Sequence, residues 1–273
     1  MRKIFLRKAF IPTHQENRMK NEGDLESARQ QFLEKDFSNL HYLLRNRYSW
    51  MNKYLYGREF VVELGAGAGF SRFFITNEKL ILTDVDCHQW VDRQVDAMNL
   101  PFEDNSVDCF ICSHMIHHIY NPKKFFHGVQ AKLKDGGLLL IQEINTSLLM
   151  RTILKLMCHE GWSYDVNVFD EDEVANNPDD PFSANCAIPE LLFTDDGTFE
   201  NEFPGLKIIR NSLCECFTFP LSGGVISKHK TIELPFAVLK AINQLDRACI
   251  AVIPSVFAMG RSVVIRKDIE ETA

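Results

Sequence analysis

The 273-residue sequence predicts an α/β fold: a parallel sheet with helices on both faces, preceded by a helical cap and interrupted by a lid inserted after the fifth strand. Three observations carry that prediction. From Glu59 to Ile144, short apolar runs of strand length alternate with helical stretches, the pattern of a parallel sheet flanked by helices. The run Val61-Val62-Glu63-Leu64 leads straight into Gly65-Ala66-Gly67-Ala68-Gly69, where alternate glycines free the backbone and let a ligand approach it closely. Ahead of both, residues 1–57 place Leu25, Phe32, Leu33, Phe37, Leu40, Leu44 and Trp50 at helical spacing, as an N-terminal cap.

The first strand and its turn indicate a nucleoside-bearing cofactor. A dinucleotide fingerprint wants its third glycine three positions after the second, and Phe70 stands there instead. Glu63 at the end of the strand would repel a phosphate, whereas S-adenosylmethionine has no phosphate and brings a sulfonium and an ammonium that suit a neighbouring acid. The second strand, Lys79 to Asp84, ends in an acid about twenty positions beyond the first, where a ribose diol needs its acceptor. Asp96-Ala97-Met98 follows on a loop that can serve an adenine, Asp96 by its carboxylate and Ala97 by its backbone N–H. The fourth strand, Val107 to Ser113, brings Ser113 to the same carboxyl-end crevice.

These motifs stand in order: Glu63 to Gly69, Asp84, Asp96-Ala97 through Leu100-Pro101-Phe102, Ser113 to Ile119 with the pattern S-x-x-x-H-H-I, and Lys134-Asp135-Gly136-Gly137 before an apolar strand. Over residues 58–145 the chain resembles the class I S-adenosylmethionine-dependent methyltransferases, and within them the ubiquinone-biosynthesis-like, type 11 small-molecule branch. The resemblance implies a Rossmann-like, seven-stranded, mostly parallel sheet with S-adenosyl-L-methionine as cofactor. Glu63, Gly65, Ala66, Gly67 and Gly69 would hold its methionine part, Asp84 the ribose, and Asp96, Ala97 and Met98 the adenine, with Ser113 beside them. It also implies that the cap, residues 1–57, closes over the cofactor, making Tyr42 and Tyr48 candidates for substrate contact or simple packing.

Beyond the core, 58–145, residues 146–205 read as an acidic lid and 206–273 as the last strands of the core with an inserted helix. A helix is expected around Ser147 to His159, strands at Leu206 to Phe219 and Ser262 to Arg266, and an amphipathic helix over Phe236 to Val252. In that helix Phe236, Leu239, Ile242 and Leu245 form the apolar face, with Lys240, Asn243 and Asp246 elsewhere. Residues 156–206 hold thirteen acids and no Lys or Arg within a chain of net charge −7, whereas 1–57 are basic. An acidic insert argues against a nucleic-acid partner and for a neutral or cationic small molecule.

No apolar run reaches bilayer length and no secretory h-region opens the chain, so a cytoplasmic protein without stable membrane insertion is expected. The first ten residues, mixed basic and apolar, read as a short disordered tail capable of peripheral contact with an anionic surface. Eight cysteines without a disulfide framework fit the same compartment. Cys109 and Cys112 fall on opposite faces of one strand and do not share a metal.

His117 and His118 follow the fourth strand directly and are the candidate general bases, His118 first, with packing as the alternative role. His114 is expected to point into the sheet or its helix layer. No metal site is predicted, because the carboxylates of Asp170 to Glu173 read as the exposed start of a helix. The expected reaction is O-methylation of a sugar, glycolipid precursor or other secondary metabolite. The segment Asn185 to Phe193 weakly resembles one in methyltransferases of cell-surface glycan and lipid-linked sugar assembly. N- or C-methylation of an amine or quinone, and an inactive cofactor-binding module, remain as alternatives.

Overall fold

The computed structural model describes residues 8–11, 25–158, 160–180, 183–194, 197–226 and 231–269. Seven strands form one sheet: β1 (Val61–Leu64), β2 (Leu80–Asp84), β3 (Arg93–Gln94), β4 (Val107–Ser113), β5 (Leu133–Ile144), β6 (Leu206–Cys214) and β7 (Gly260–Lys267). Their order is β3-β2-β1-β4-β5-β7-β6, and β7 alone runs against the direction of the other six. The fold is thus the expected Rossmann-like, mostly parallel α/β sheet, with β1 to β5 ending along one edge.

Alternation along each strand divides the core into two layers. Val61, Cys109, Ile111, Leu138 and Leu140 face one cluster, and Val62, Phe110, Cys112, Leu139 and Ile141 face the other. Cys109 and Cys112 therefore lie on opposite faces, as expected, and both are buried thiols.

The first layer is built largely by the N-terminal segment, through helices α1 (Leu25–Leu33) and α2 (Asn39–Tyr48). Phe32, Leu44, Tyr48, Met51 and Leu55 pack on the sheet, so this segment is a structural layer as well as a cap. It supplies what the β1–β2 connection lacks. Strict alternation of strand and helix fails there, because only a 3₁₀ turn at Phe70–Phe73 follows the glycines. Phe32 fills the gap, its ring 4.7 Å from Phe70 and 5.2 Å from Phe73. Two residues expected on the apolar face, Leu33 and Phe37, are exposed, since α1 ends at Leu33 and the periodicity does not continue past it.

The second layer combines α3 (Pro122–Lys132) with part of the segment between β5 and β6. Ile188, Leu192, Phe193, Phe199 and Phe203 are buried against Phe125 and Phe126. These five residues are therefore core rather than lid: the aromatic rings among them cover a sheet face that α3 alone leaves open. The helix predicted to begin at Asp170 is absent. Asn167, Asp170 and Asn177 instead accept from the backbone N–H two residues on, closing turns that compete with helix.

Helices α4 (Leu148–Met157) and α5 (Phe236–Val252) complete the described fold. In α5 the expected face is corrected. Phe236 and Leu245 are exposed, while Asp246 is buried and accepts from the N–H groups of Cys216, Phe217 and Thr218 and from the Thr218 hydroxyl. A helical-wheel reading assigns an acid to solvent and has no knowledge of four donors arriving from another segment. Residues 1–7 of the basic tail, together with Asp195 and Asp196, lie outside the described residues. Phe10, at the tail's end, forms a two-way backbone bridge with Trp162 at 2.9 and 2.8 Å. No helix among the described residues is long and apolar enough to cross a membrane.

Candidate active site

The glycine turn begins where β1 ends. Gly65, Gly67 and Gly69 take φ of 68°, 52° and 68°, which L side chains adopt only with strain. A Cβ on Gly65 would lie 2.5 Å from Met115, and one on Gly69 would lie 2.6 Å from Trp90; above Gly67 it would meet nothing nearer than Leu25 at 3.9 Å. Gly67 is held at both polar atoms: its N–H donates to Asp84 at 2.7 Å and its carbonyl accepts from the Trp90 indole at 2.7 Å. From the cap, Arg29 donates to the Ala68 carbonyl at 2.6 Å and lies 4.9 Å over the Trp90 ring. Asp84 is thus at the turn, as expected, together with two residues that sequence reading missed.

Glu63 is fully buried beneath this turn. Its Oε2 accepts from the Ser71 hydroxyl, and its Oε1 has no hydrogen-bond partner. Burial, with the nearby charge of Asp84, pushes its carboxyl up to about 8, against the pull of Ser71. Tyr48, beside it, is raised by burial and by the charge of Glu63.

A cavity of about 250 Å³ opens from the turn. Gly65 to Ala68 and Phe70 form one wall, Ser113, His114, His117 and His118 the next, and Met150, Ile153, Leu154 and Met157 of α4 the roof. Arg47 and Tyr48 close it from the cap. Arg47 is fixed by a buried two-pronged pair with Glu215, at 2.9 and 2.6 Å. Tyr48 is therefore at the cavity, whereas Tyr42 packs edge-on against Phe236, at 5.6 Å. Asp96, Ala97 and Met98 are not on these walls: Asp96 is exposed on the loop after β3 and accepts from the Met98 N–H at 2.8 Å. The acid run also stays outside. Asp170, Glu171, Asp172 and Asp179 are exposed, and of the insert's acids among the described residues Glu160 is the one on the cavity wall.

The histidines occupy a 3₁₀ turn, Ile116–His118, pinned from several sides. The Ile116 N–H donates to Glu143 at 2.6 Å, and the His117 carbonyl accepts from Asn176 and from the Asn185 N–H at 2.8 and 2.9 Å. His117 Nδ1 is 2.7 Å from Glu143 Oε2. Burial alone would lower His117, but the charges and hydrogen bonds of Glu143 and Glu160 outweigh it and raise it to about 10. In this state His117 carries its proton and is no general base, a correction that follows from two carboxylates enclosing it. His118 differs. Burial, then the charge of His117, brings it down to about 4, and its Nδ1 lies 3.1 Å from the Ser183 carbonyl. Its neutral ring donates there and leaves the Nε2 lone pair toward Glu160, 3.9 Å away. His114, expected in the sheet layer, is instead on the cavity wall, because its φ of 53° turns it out of the strand. Its Nε2 is buried without a partner.

The structure also brings together three groups that sequence reading kept apart. His117, His118 and Glu160 each present one ligand atom, all within 4.8 Å of one another. Glu143 could have been flagged in the sequence as an acid at a strand end, like Glu63 and Asp84. Glu160 had no such signal among thirteen acids.

Residues 62–141 match the family model described as a methyltransferase domain, a span that runs from β1 into β5 and takes in the turn, Asp84 and both histidines. Comparison with curated proteins finds no match. Among solved structures, a SAM-dependent methyltransferase from Archaeoglobus fulgidus is 17% identical, with 83% of this chain and 94% of that one covered and a TM-score of 0.48. The YcgJ protein of Bacillus subtilis is 16% identical over 82% of this chain and 99% of its own, at a TM-score of 0.46. A SAM-dependent methyltransferase from Methanosarcina mazei is 14% identical over 82% and 99%, at 0.45.

Proposed function

For a chain that carries a class I S-adenosylmethionine-dependent methyltransferase domain, we propose methyl transfer to a hydroxyl of a small molecule with an apolar body, such as a glycolipid precursor or another secondary metabolite. The observation that carries this reading is one half-open cavity joining the glycine turn to a neutral imidazole across largely apolar walls. A cavity of about 250 Å³ suits a small acceptor and not a nucleic-acid strand.

The residues fit the cofactor. Positive φ at three glycines leaves open backbone above Gly67, and the buried Glu63, whose Oε1 accepts no hydrogen bond, is an acid that a cation beside it would ionise. Bound there, S-adenosylmethionine supplies a methyl group made electrophilic by its sulfonium. Glu63, through Tyr48 and Gly65, faces the amino-acid end; Asp84 takes the ribose diol; and Asp96, Ala97 and Met98 border the adenine outside the cavity. Trp90 and Arg29 close the turn from above, which makes the cap part of the cofactor site.

On the opposite wall, the His118 Nε2 is the group suited to receive the acceptor's proton as its oxygen takes the methyl, and the α4 side chains exclude water. The apolar roof favours an acceptor with a lipid or aromatic body over a bare sugar, and it removes the argument for an amine, because the acid run faces solvent. The test is transfer of labelled methyl groups into a cell extract and identification of the product. Calorimetric binding of the cofactor with no labelled product in any extract would sink the enzyme reading and leave a binding module.

A further inference from the structure

We propose that His117, His118 and Glu160 bind a divalent first-row transition metal, with its open side toward the acceptor cavity. The two imidazoles present Nε2 to the same carboxylate oxygen, at 3.8 and 3.9 Å from Glu160 Oε1. A tetrahedral metal with bonds of about 2.05 Å would hold such atoms ~3.3 Å apart, so each histidine–Glu160 separation closes by about half an ångström, and all three ligand atoms already lie within 4.8 Å of one another.

The surroundings favour a metal over a chance cluster. A metal-bound histidine donates its other ring N–H to a carboxylate or carbonyl, which fixes the tautomer that leaves the second nitrogen free. Both histidines meet this condition: His117 Nδ1 lies 2.7 Å from Glu143 Oε2 and His118 Nδ1 lies 3.1 Å from the Ser183 carbonyl. The turn that carries them is pinned by Glu143, Asn176 and Asn185, so two adjacent side chains are held converging, with ring centroids 4.2 Å apart.

Two imidazoles and one carboxylate select Zn²⁺, Mn²⁺, Fe²⁺ or Co²⁺ over Mg²⁺, which prefers oxygen. All three ligands lie on the cavity wall shared with the glycine turn, so an acceptor oxygen would complete the coordination and have its pKa lowered there, a role that replaces His118 as proton acceptor because its Nε2 would then hold the ion. That last role, not the site itself, rests on the methyl-transfer reading.

The test is titration of the full, chelator-treated chain with Co²⁺ alone, followed by its visible absorption. One ion per chain with ligand-field bands is expected. His118→Ala and Glu160→Gln should abolish the bands, and Glu143→Gln should weaken binding by about 10- to 100-fold. A variant with Asp170→Asn and Asp172→Asn should bind as the parent does. Circular dichroism screens each variant for folding, and if His118→Ala does not fold, Glu160→Gln decides. Absence of bands in the parent, their persistence in Glu160→Gln, or their loss in the acid-run variant overturns the site. Calorimetry with S-adenosylmethionine on the same samples separates the two readings: Co²⁺ binding without cofactor heat leaves the metal site standing and removes methyl transfer. Cofactor heat without Co²⁺ binding does the reverse.

Discussion

Replacing Glu63 by glutamine tests whether the acid beneath the glycine turn is kept protonated until a cation arrives. Burial and Asp84 raise its carboxyl from an ordinary 4.5 to about 8, and at ~1.36 kcal/mol per pKa unit that difference corresponds to roughly 4–5 kcal/mol. Below about pH 4.5 both folded and unfolded chains hold the proton, so Glu63 contributes no pH dependence. Between about 4.5 and about 8 the unfolded chain releases the proton while the folded chain retains it, so stability falls through this window and levels off above it. Glutamine keeps the shape and an acceptor for the Ser71 hydroxyl but cannot ionise. Urea unfolding at several pH values should therefore show a Glu63-dependent loss of up to about 4 kcal/mol between about pH 5 and about pH 8, absent in Glu63→Gln. Cofactor binding adds a second readout. A cation beside Glu63 expels its proton, so calorimetry near pH 7 should give a binding heat that varies with the buffer's ionisation enthalpy, and Glu63→Gln should remove that variation and weaken binding about 10- to 100-fold. An unchanged pH slope in the variant, or a parent whose stability rises through the window, would refute the reasoning.

The turn itself is tested by Asp84→Ala and Gly67→Arg, each expected to eliminate calorimetric binding of S-adenosylmethionine. The first removes the carboxylate at the Gly67 N–H, and the second forces a long side chain into φ of 52°. Retained binding in both would overturn the cofactor placement. Trp90→Ala should weaken cofactor binding while leaving the urea midpoint nearly unchanged, since the partly buried indole holds the Gly67 carbonyl rather than a core layer. Arg47→Ala leaves the buried Glu215 without its cation, held only by the Gln142 amide, and should cost about 3–5 kcal/mol in urea unfolding. Asp246→Ala strands the donors of Cys216, Phe217 and Thr218 and should cost about 2–3 kcal/mol, with a smaller loss in Asp246→Asn; a midpoint unchanged in the alanine variant would contradict its capping role.

What could be read from the sequence is what local rules determine. β1, the glycine turn, Asp84 at the end of β2 and the helix Phe236–Val252 rest on periodicity and on residues with narrow conformational roles, and each stands where it was expected. The two faces of β4 were legible because strand alternation allows no other arrangement for Cys109 and Cys112. Long-range partnerships were not legible. Nothing near Glu160 in the sequence points to His117, and nothing in α5 announces that Asp246 will receive donors from Cys216 to Thr218. The aromatic run from Phe193 to Phe203 lay among acids, so composition suggested a solvated lid, although its rings complete a core layer. Asn167 and Asp170 show the same limit at short range, since a helix start and a chain of side-chain-capped turns use the same residue types.

The carboxyl ends of the parallel strands carry acids that the fold puts to different uses, and their surroundings decide which. Glu63 on β1 is enclosed, and burial with the charge of Asp84 outweighs the Ser71 hydrogen bond and the charge of Arg72, so the neutral form prevails at pH 7. Glu143 on β5 is buried to the same degree, yet His117 lies against it, and that charge and hydrogen bond overcome burial and hold its carboxyl at about 2. Asp84 on β2 is more exposed than either and is engaged by the Gly67 N–H. The cavity thus has two unlike ends, each backed by an acid that is not itself on its wall. Beneath the glycine turn is a latent negative charge that only a cation would call out, which suits a sulfonium-bearing donor. Against the histidine turn is a fixed negative charge already compensated by His117, so what reaches the acceptor is the neighbouring His118 and Glu160 pair, not the carboxylate behind them. Exchanging these environments, not the residue types, would exchange the roles, since glutamate stands at both positions.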